Sequence, residues 1–295
     1  MIRRCVVIGA LAGLVLTGKA STAPSLSDGD IRVVTSKDGT AIAVECAGAG
    51  PTLLFVHGGV GDRSRWTPML PLLASRFTAC AMDRRGRGAS GDSAEYSLSR
   101  EAEDVAAVAN ASVAPVTVLG HSYGGVAALE ATFLTHRISR LILYEPPLHE
   151  PVANNLAAAA RVQAMVDSGR LEDALVAFQT DVVKQSPEEI ARMKTRPTWN
   201  ALVASMRAHP RQMRALAAYR FEAERMRSVR MPTLLLIGES TRSPHARRSI
   251  EALQAALPDA TRVVLPRQEH NAMEAGRDVL VTAIMAFVRS TDVAR

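Results

Sequence analysis

Six residues, Gly120 to Gly125, restrict the fold more than any other part of this chain of 295 residues. They read Gly-His-Ser-Tyr-Gly-Gly and fit the pattern G-x-S-x-G. Upstream is a short β-branched run, Val116-Thr117-Val118-Leu119; downstream, Val126 to Ala131 has helical character. A serine between such runs occupies a sharp strand-to-helix turn with a strained backbone, where bulk at the flanking positions would clash. The turn lifts the hydroxyl into the open and sets it at a helix N-terminus, whose free N–H groups steady negative charge. Taken alone, the pattern also fits a tight connection with an incidental serine. The rest of the chain decides between these.

Apolar runs recur at a spacing that suits strands separated by helices. Ile31–Ser36 and Ala41–Cys46 alternate like a hairpin with Asp38-Gly39 as its turn. Thr52–Val56, Thr78–Met82, Leu141–Tyr144, Thr233–Ile237 and Thr261–Leu265 read as further strands, and Arg100–Ala111 and Asp278–Arg289 as helices. Alternation of this kind predicts an α/β fold with a mostly parallel central sheet covered on both faces. Between residues 151 and 230 the pattern changes to Ala-rich amphipathic helices with no evident strand. The expected pieces there are Asn155–Asp167, Leu171–Val183, Pro187–Met193, Thr198–Ala208 and Arg211–Arg225. The expected organisation is therefore a core in two parts, 24–150 and 231–295, interrupted by a helical insertion at 151–230.

The N-terminus reads as a targeting segment. Arg3 and Arg4 precede an apolar run from Cys5 to Leu16, and small residues follow through Ala23. This predicts a signal peptide over 1–23 and an exported protein, periplasmic or secreted; left uncleaved, it would serve as a membrane anchor. The run is too short to span a bilayer comfortably. Removal would leave Cys46 and Cys80, which fall in separate predicted strands and are expected as buried free thiols, although export permits a disulfide. The net charge is +6, but the basic residues are scattered among acidic ones. That argues against a nucleic-acid surface, and no stable membrane partner is expected. There is no zinc-type Cys/His spacing and no phosphate-binding glycine loop, so no cofactor or metal is expected. Nothing in the sequence sets the oligomeric state.

In order along the chain stand His57-Gly58-Gly59, Asp83-Arg84-Arg85-Gly86-Arg87-Gly88, Gly120–Gly125, Tyr144-Glu145-Pro146-Pro147 and Gln268-Glu269-His270. This series resembles the α/β-hydrolase superfamily, in its serine-nucleophile branch with a helical cap, from about Ile31 to Arg289. The resemblance implies an α/β-hydrolase fold with Ser122 as nucleophile and His270, after the last strand, as the base that takes its proton. It implies an oxyanion hole from the backbone N–H groups of Gly59 and Tyr123. His57 and His121 belong to the glycine motifs. His136, His149, His209 and His245 have no matching position. Asp83–Gly88 is expected to be structural, while Trp66 and Trp199 could either line a pocket or pack in the core.

The acid that orients the histidine departs from the commonest pattern. Most relatives place an Asp after the strand corresponding to Thr233–Ile237, but this chain reads Gly238-Glu239-Ser240. Some relatives, among them haloalkane dehalogenases and zearalenone-type lactonases, take the acid from the preceding strand. Glu145 stands there, 23 residues after Ser122. Glu145 is therefore the favoured acid and Glu239 the alternative. The implied activity is cofactor-independent hydrolysis of a small apolar ester, lactone or related carbonyl compound through an acyl-enzyme. Two other readings stay open: a ligand-binding protein of the same fold with little or no catalysis, supported by Ser240, and a haloperoxidase-like perhydrolase using the same residues.

Overall fold

A computed structural model describes residues 31–112, 115–148 and 152–293. The signal-peptide expectation for residues 1–23, and His149, lie outside them. Eight strands form one sheet: β1 (Ile31–Thr35), β2 (Ala41–Ala47), β3 (Thr52–Val56), β4 (Thr78–Met82), β5 (Val116–His121), β6 (Ile138–Tyr144), β7 (Thr233–Gly238) and β8 (Ala260–Leu265). Their spatial order is β1-β2-β4-β3-β5-β6-β7-β8. The first two pairings in that order are antiparallel and the other five parallel.

The helices are α1 (Leu70–Leu73), α2 (Leu98–Asn110), α3 (Tyr123–Ala131), α4 (Val152–Asp167), α5 (Leu171–Phe178), α6 (Pro187–Lys194), α7 (Trp199–Ser205), α8 (His209–Ala218), α9 (Ala223–Met226), α10 (Pro244–Ala256), α11 (Ala272–Ala275) and α12 (Arg277–Val293). The inner strands β3 to β7 are buried at nearly every position because both faces of the sheet are covered. In β3, Leu54 and Val56 pack into one core with α2, α3 and α10. Leu53 and Phe55 point the other way, into a core with α1 and α12. Successive side chains alternate between faces, so one five-residue strand feeds two cores.

The chain leaves the sheet after β6 and rejoins it at β7, and α4 to α9 lie between. This insertion has its own core, including Val162, Leu175, Trp199, Met206 and Met213. Trp199 is thus cap packing. Trp66 is fully buried against Phe55, with ring centroids 4.8 Å apart. Neither tryptophan lines the pocket described below.

Two expectations need correction. Arg211–Arg225 is two helices, since Tyr219 is extended (ψ 141°) between α8 and α9. Tertiary contacts explain the break: Tyr219 Oη and Arg225 Nη1 both reach the Glu130 carboxylate on α3, at 3.0 and 2.7 Å. Local helical periodicity carries no record of that distant partner.

Cys46 and Cys80 form a disulfide instead of two free thiols. The strands that carry them, β2 and β4, are antiparallel neighbours, a pairing that neither run reveals in sequence. Cys46 sits directly opposite Cys80 in the register, with Cα atoms 4.0 Å apart. A crosslink closing a loop of this length restricts the unfolded chain. Reduction, or the Cys46→Ala/Cys80→Ala double variant, is expected to lower the unfolding free energy by about 2–4 kcal/mol in urea denaturation, with native far-UV circular dichroism retained. An unchanged midpoint after reduction would mean that the thiols are free.

Candidate active site

The parallel strands point one way, so the loops after β3, β4, β5, β6, β7 and β8 gather at one edge of the sheet. Each predicted site residue stands on one of those loops or, for Tyr123, at the start of the helix that follows. Ser122 follows β5 with φ 51° and ψ −128°, a conformation L residues rarely adopt. The neighbouring backbone holds it there. The Ser122 N–H donates to Tyr144 O, and Gly125 N–H donates to Ser122 O, both at 2.8 Å. A Cβ on Gly120 would lie 2.5 Å from Gly124 O, and one on Gly124 would lie 2.3 Å from His57 O. The small residues of the motif are therefore a requirement of close packing. Helix α3 begins at Tyr123 and presents its free N–H groups beside the serine.

Glu145 follows β6, also with positive φ (46°), and is 2% exposed. Its Oε2 lies 2.6 Å from His270 Nδ1. Its Oε1 accepts from Gly238 N–H at 2.8 Å and from the Thr241 hydroxyl at 2.5 Å. Burial alone would raise this carboxyl, but the hydrogen bonds and charge contributed by His270, Thr241 and Gly238 outweigh it and hold it below the ordinary glutamate value. Glu239 faces elsewhere: it is exposed, and its Oε2 accepts from Arg267 N–H at 2.7 Å. The loop after β7 thus buttresses Glu145 from behind instead of placing its own carboxylate on the histidine.

The His270 loop is tied to the strand ends by the residues just before Ser122 and Glu145. His121 Nε2 donates to His270 O at 2.8 Å, and the Tyr144 hydroxyl donates to Glu269 O. Burial and the nearby His270 and Arg65 keep His121 well below the ordinary histidine value, so it is neutral and acts as a fixed donor. In sequence His121 belongs to the glycine motif of the turn; its hydrogen bond goes to the backbone of the distant histidine loop.

These groups open onto a cavity of about 170 Å³ lined by Gly59, Ser122, Tyr123, Glu145 and His270. Apolar side chains from the cap and its margins, Phe178, Val182, Met193, Met213 and Leu216, form much of its wall. Arg65, Lys184 and Arg242 also reach it, as do Glu189 and Glu269. Among the described residues no cluster of three or more His, Cys, Asp or Glu could hold a metal.

The motif Asp83–Gly88 is structural, as expected, and its four charged side chains, Asp83, Arg84, Arg85 and Arg87, are buried. Arg85 makes a two-pronged pair with Asp104, both bonds 2.7 Å, and Arg84 does the same with Glu101 at 2.5 and 2.6 Å. Asp83 accepts from Arg63 N–H and Ala89 N–H at 2.7 and 2.8 Å. In sequence His209 has no matching position and Gln212 carries no signal. Both stand on α8, line the cavity and are buried. His209 Nδ1 lies 3.1 Å from Gly59 O, and burial with the nearby Arg87 pushes its pKa down to about 3. No motif marks them; only the docking of the cap brings them to the site.

Comparisons with known proteins agree with this architecture. The model of the alpha/beta hydrolase family matches residues 53–283. A 2-(acetamidomethylene)succinate hydrolase of Mesorhizobium japonicum is 27% identical over 255 residues, 82% of this chain and 89% of the relative. Among solved structures, an alpha/beta hydrolase from Sphaerobacter thermophilus is 33% identical with a TM-score of 0.75, covering 86% of this chain and all of that one. An esterase from a Rhodococcus species shares the fold at 23% identity and a TM-score of 0.70, covering 88% of this chain and 98% of that one. Sequence motifs, sheet order and these matches lead to one conclusion: the chain belongs to the alpha/beta hydrolase family.

Proposed function

We propose that this protein is a cofactor-independent serine hydrolase that cleaves a small apolar carboxylic ester or lactone through an acyl-enzyme. The observation that carries this reading is the 2.6 Å contact between His270 Nδ1 and the buried Glu145, with Ser122 at its strained turn in the same cavity. In this reading Ser122 Oγ attacks the carbonyl carbon while His270 Nε2 takes its proton. Glu145 holds the other ring nitrogen and stabilises the imidazolium. The N–H groups of Gly59 and Tyr123 receive the oxyanion. Collapse breaks the bond to the leaving oxygen, which takes the proton from His270. A water, deprotonated by His270, then attacks the acyl carbon, frees the acid and returns the proton to Ser122. Ser240 supports a ligand-binding protein with little or no catalysis, but Glu145 supplies a carboxylate to His270, which supports turnover.

A fluorophosphonate probe is expected to label the wild type but not Ser122→Ala. Glu145→Gln is expected to lose roughly 10⁴-fold in kcat, the scale seen when a triad histidine loses its orienting carboxylate. Glu239→Gln should stay within about threefold of wild type, as for a surface carboxylate away from the chemistry. An unlabelled but folded wild type would favour the binding reading. A loss confined to Glu239→Gln would move the acid to the loop after β7.

A second substrate reading has specific support. Arg65, Lys184 and Arg242 reach the cavity, and the Mesorhizobium relative is named for a substrate bearing succinate carboxylates. An anionic ester or amide is the alternative. The discriminating measurement is kcat/KM for p-nitrophenyl butyrate against mono-p-nitrophenyl succinate. The apolar reading expects the butyrate to be the better substrate. A succinate preference that disappears in Arg242→Met would replace it with the anionic one.

We also propose export, with cleavage of residues 1–23; the Cys46–Cys80 disulfide supports an oxidising compartment. Mass spectrometry of protein from the native host should find an N-terminus near Ser21 or Pro24. A chain beginning at Met1 would defeat this.

A further inference from the structure

The two carbonyls that flank the Gly59 N–H are both tied down, and the cap supplies part of the restraint. Gly58 O accepts from Arg84 Nη1 at 2.7 Å and from His57 Nδ1 at 2.9 Å. His57 Nε2 accepts from the Arg84 N–H at 3.1 Å, so the ring proton is on Nδ1. Across a trans peptide, C=O and N–H point in opposite directions, and no described peptide is cis. Drawing Gly58 O toward Arg84 therefore aims the Gly59 N–H away from it. The next carbonyl, Gly59 O, accepts from Arg87 Nη2 at 3.3 Å and from His209 Nδ1 at 3.1 Å. A nitrogen that close to a carbonyl oxygen must carry the proton, which makes the cap histidine a donor here.

One residue of the cap holds both arginines. Gln212 Oε1 accepts from Arg84 Nη2 at 2.8 Å and from Arg87 Nη2 at 3.0 Å. Arg84 also donates to Glu101 and, at 3.5 Å, to the Tyr96 hydroxyl, and lies over the Tyr123 ring, 4.3 Å from its centre. Arg87 is 2% exposed, and the acceptors it reaches are all neutral: Arg85 O, Gly59 O and Gln212 Oε1. Removing the shared acceptor would leave a further buried guanidinium N–H without a partner on each arginine, a costly loss beside Arg87 Nε, which already has none. The arginines would then shift toward another acceptor and draw the Gly58 and Gly59 carbonyls with them. The fit leaves little slack, since a Cβ on Gly59 would lie 2.7 Å from Gln212 Nε2.

We propose that Gln212 is a positioning residue: by fixing Arg84 and Arg87, helix α8 of the cap sets the direction of the Gly59 N–H, so the oxyanion pocket takes its working shape only when the cap is seated. This rests on the reading of Gly59 as an oxyanion donor. The test uses Gln212→Leu, which removes the acceptor, and Gln212→Glu, which keeps it. Each is measured for p-nitrophenyl butyrate turnover, for inhibition by butylboronic acid, whose boron becomes a tetrahedral anion on a serine, and for the Gly59 amide signal in glycine-labelled protein.

Gln212→Leu is expected to lose about 10- to 100-fold in kcat with KM within threefold, to lose the same factor in boronate affinity, and to move the Gly59 amide signal. Gln212→Glu is expected to restore all three to within threefold of wild type. An unmoved Gly59 signal in Gln212→Leu, or Gln212→Glu as impaired as Gln212→Leu, would overturn the proposal. A moved signal with kcat and boronate affinity unchanged would sustain the link between cap and loop while refuting Gly59 as the oxyanion donor.

Discussion

A buried carboxylate that must be satisfied organises this end of the molecule. Glu145 sits almost out of reach of solvent, and an ion in that position is costly unless it is hydrogen-bonded. Its partners come from three places: the end of β7 through Gly238 N–H, the loop that follows through Thr241, and the loop after β8 through His270. One side chain thus gathers the ends of three neighbouring strands. The positive φ of Glu145 belongs to the same arrangement, because it turns the carboxylate back over the sheet edge, with Pro146-Pro147 stiffening the exit.

Backbone anchoring repeats this theme. His121 and Tyr144 end adjacent parallel strands, and each binds a consecutive carbonyl of the histidine loop. The residues that follow them are the serine and the glutamate. The three candidate groups are therefore held by side chains one position away as well as by their own contacts. Such support is what keeps a reactive constellation within the narrow geometric tolerance its chemistry demands.

The core of the fold was readable because its determinants are local. Thr52–Val56 and Thr78–Met82 coincide with β3 and β4, and the glycine spacing around Ser122 reflects contacts within a few residues. The departure at Ser240 was legible too: the resemblance to relatives that take the acid from the preceding strand favoured Glu145 over Glu239, and the structure brings Glu145 to His270. What stayed hidden depends on pairings far apart in sequence. The disulfide needed the register of β2 on β4, the break after Ala218 needed Glu130, and His209 and Gln212 needed the docked position of α8. None of these leaves a periodic trace along the chain.

The insertion between β6 and β7 has a consequence for how such a protein diversifies. These strands are adjacent in the sheet, so the chain departs and returns at neighbouring points, and whatever lies between behaves like an elaborated loop with a core of its own. Caps of different length and sequence could be grafted at that junction without disturbing the strand order, which would let pocket shape drift while the chemistry stays put. The freedom has a limit at α8: a transplanted cap would have to bring its own oxygen for the two buried arginines, or the graft would fold and still fail at the reacting carbonyl.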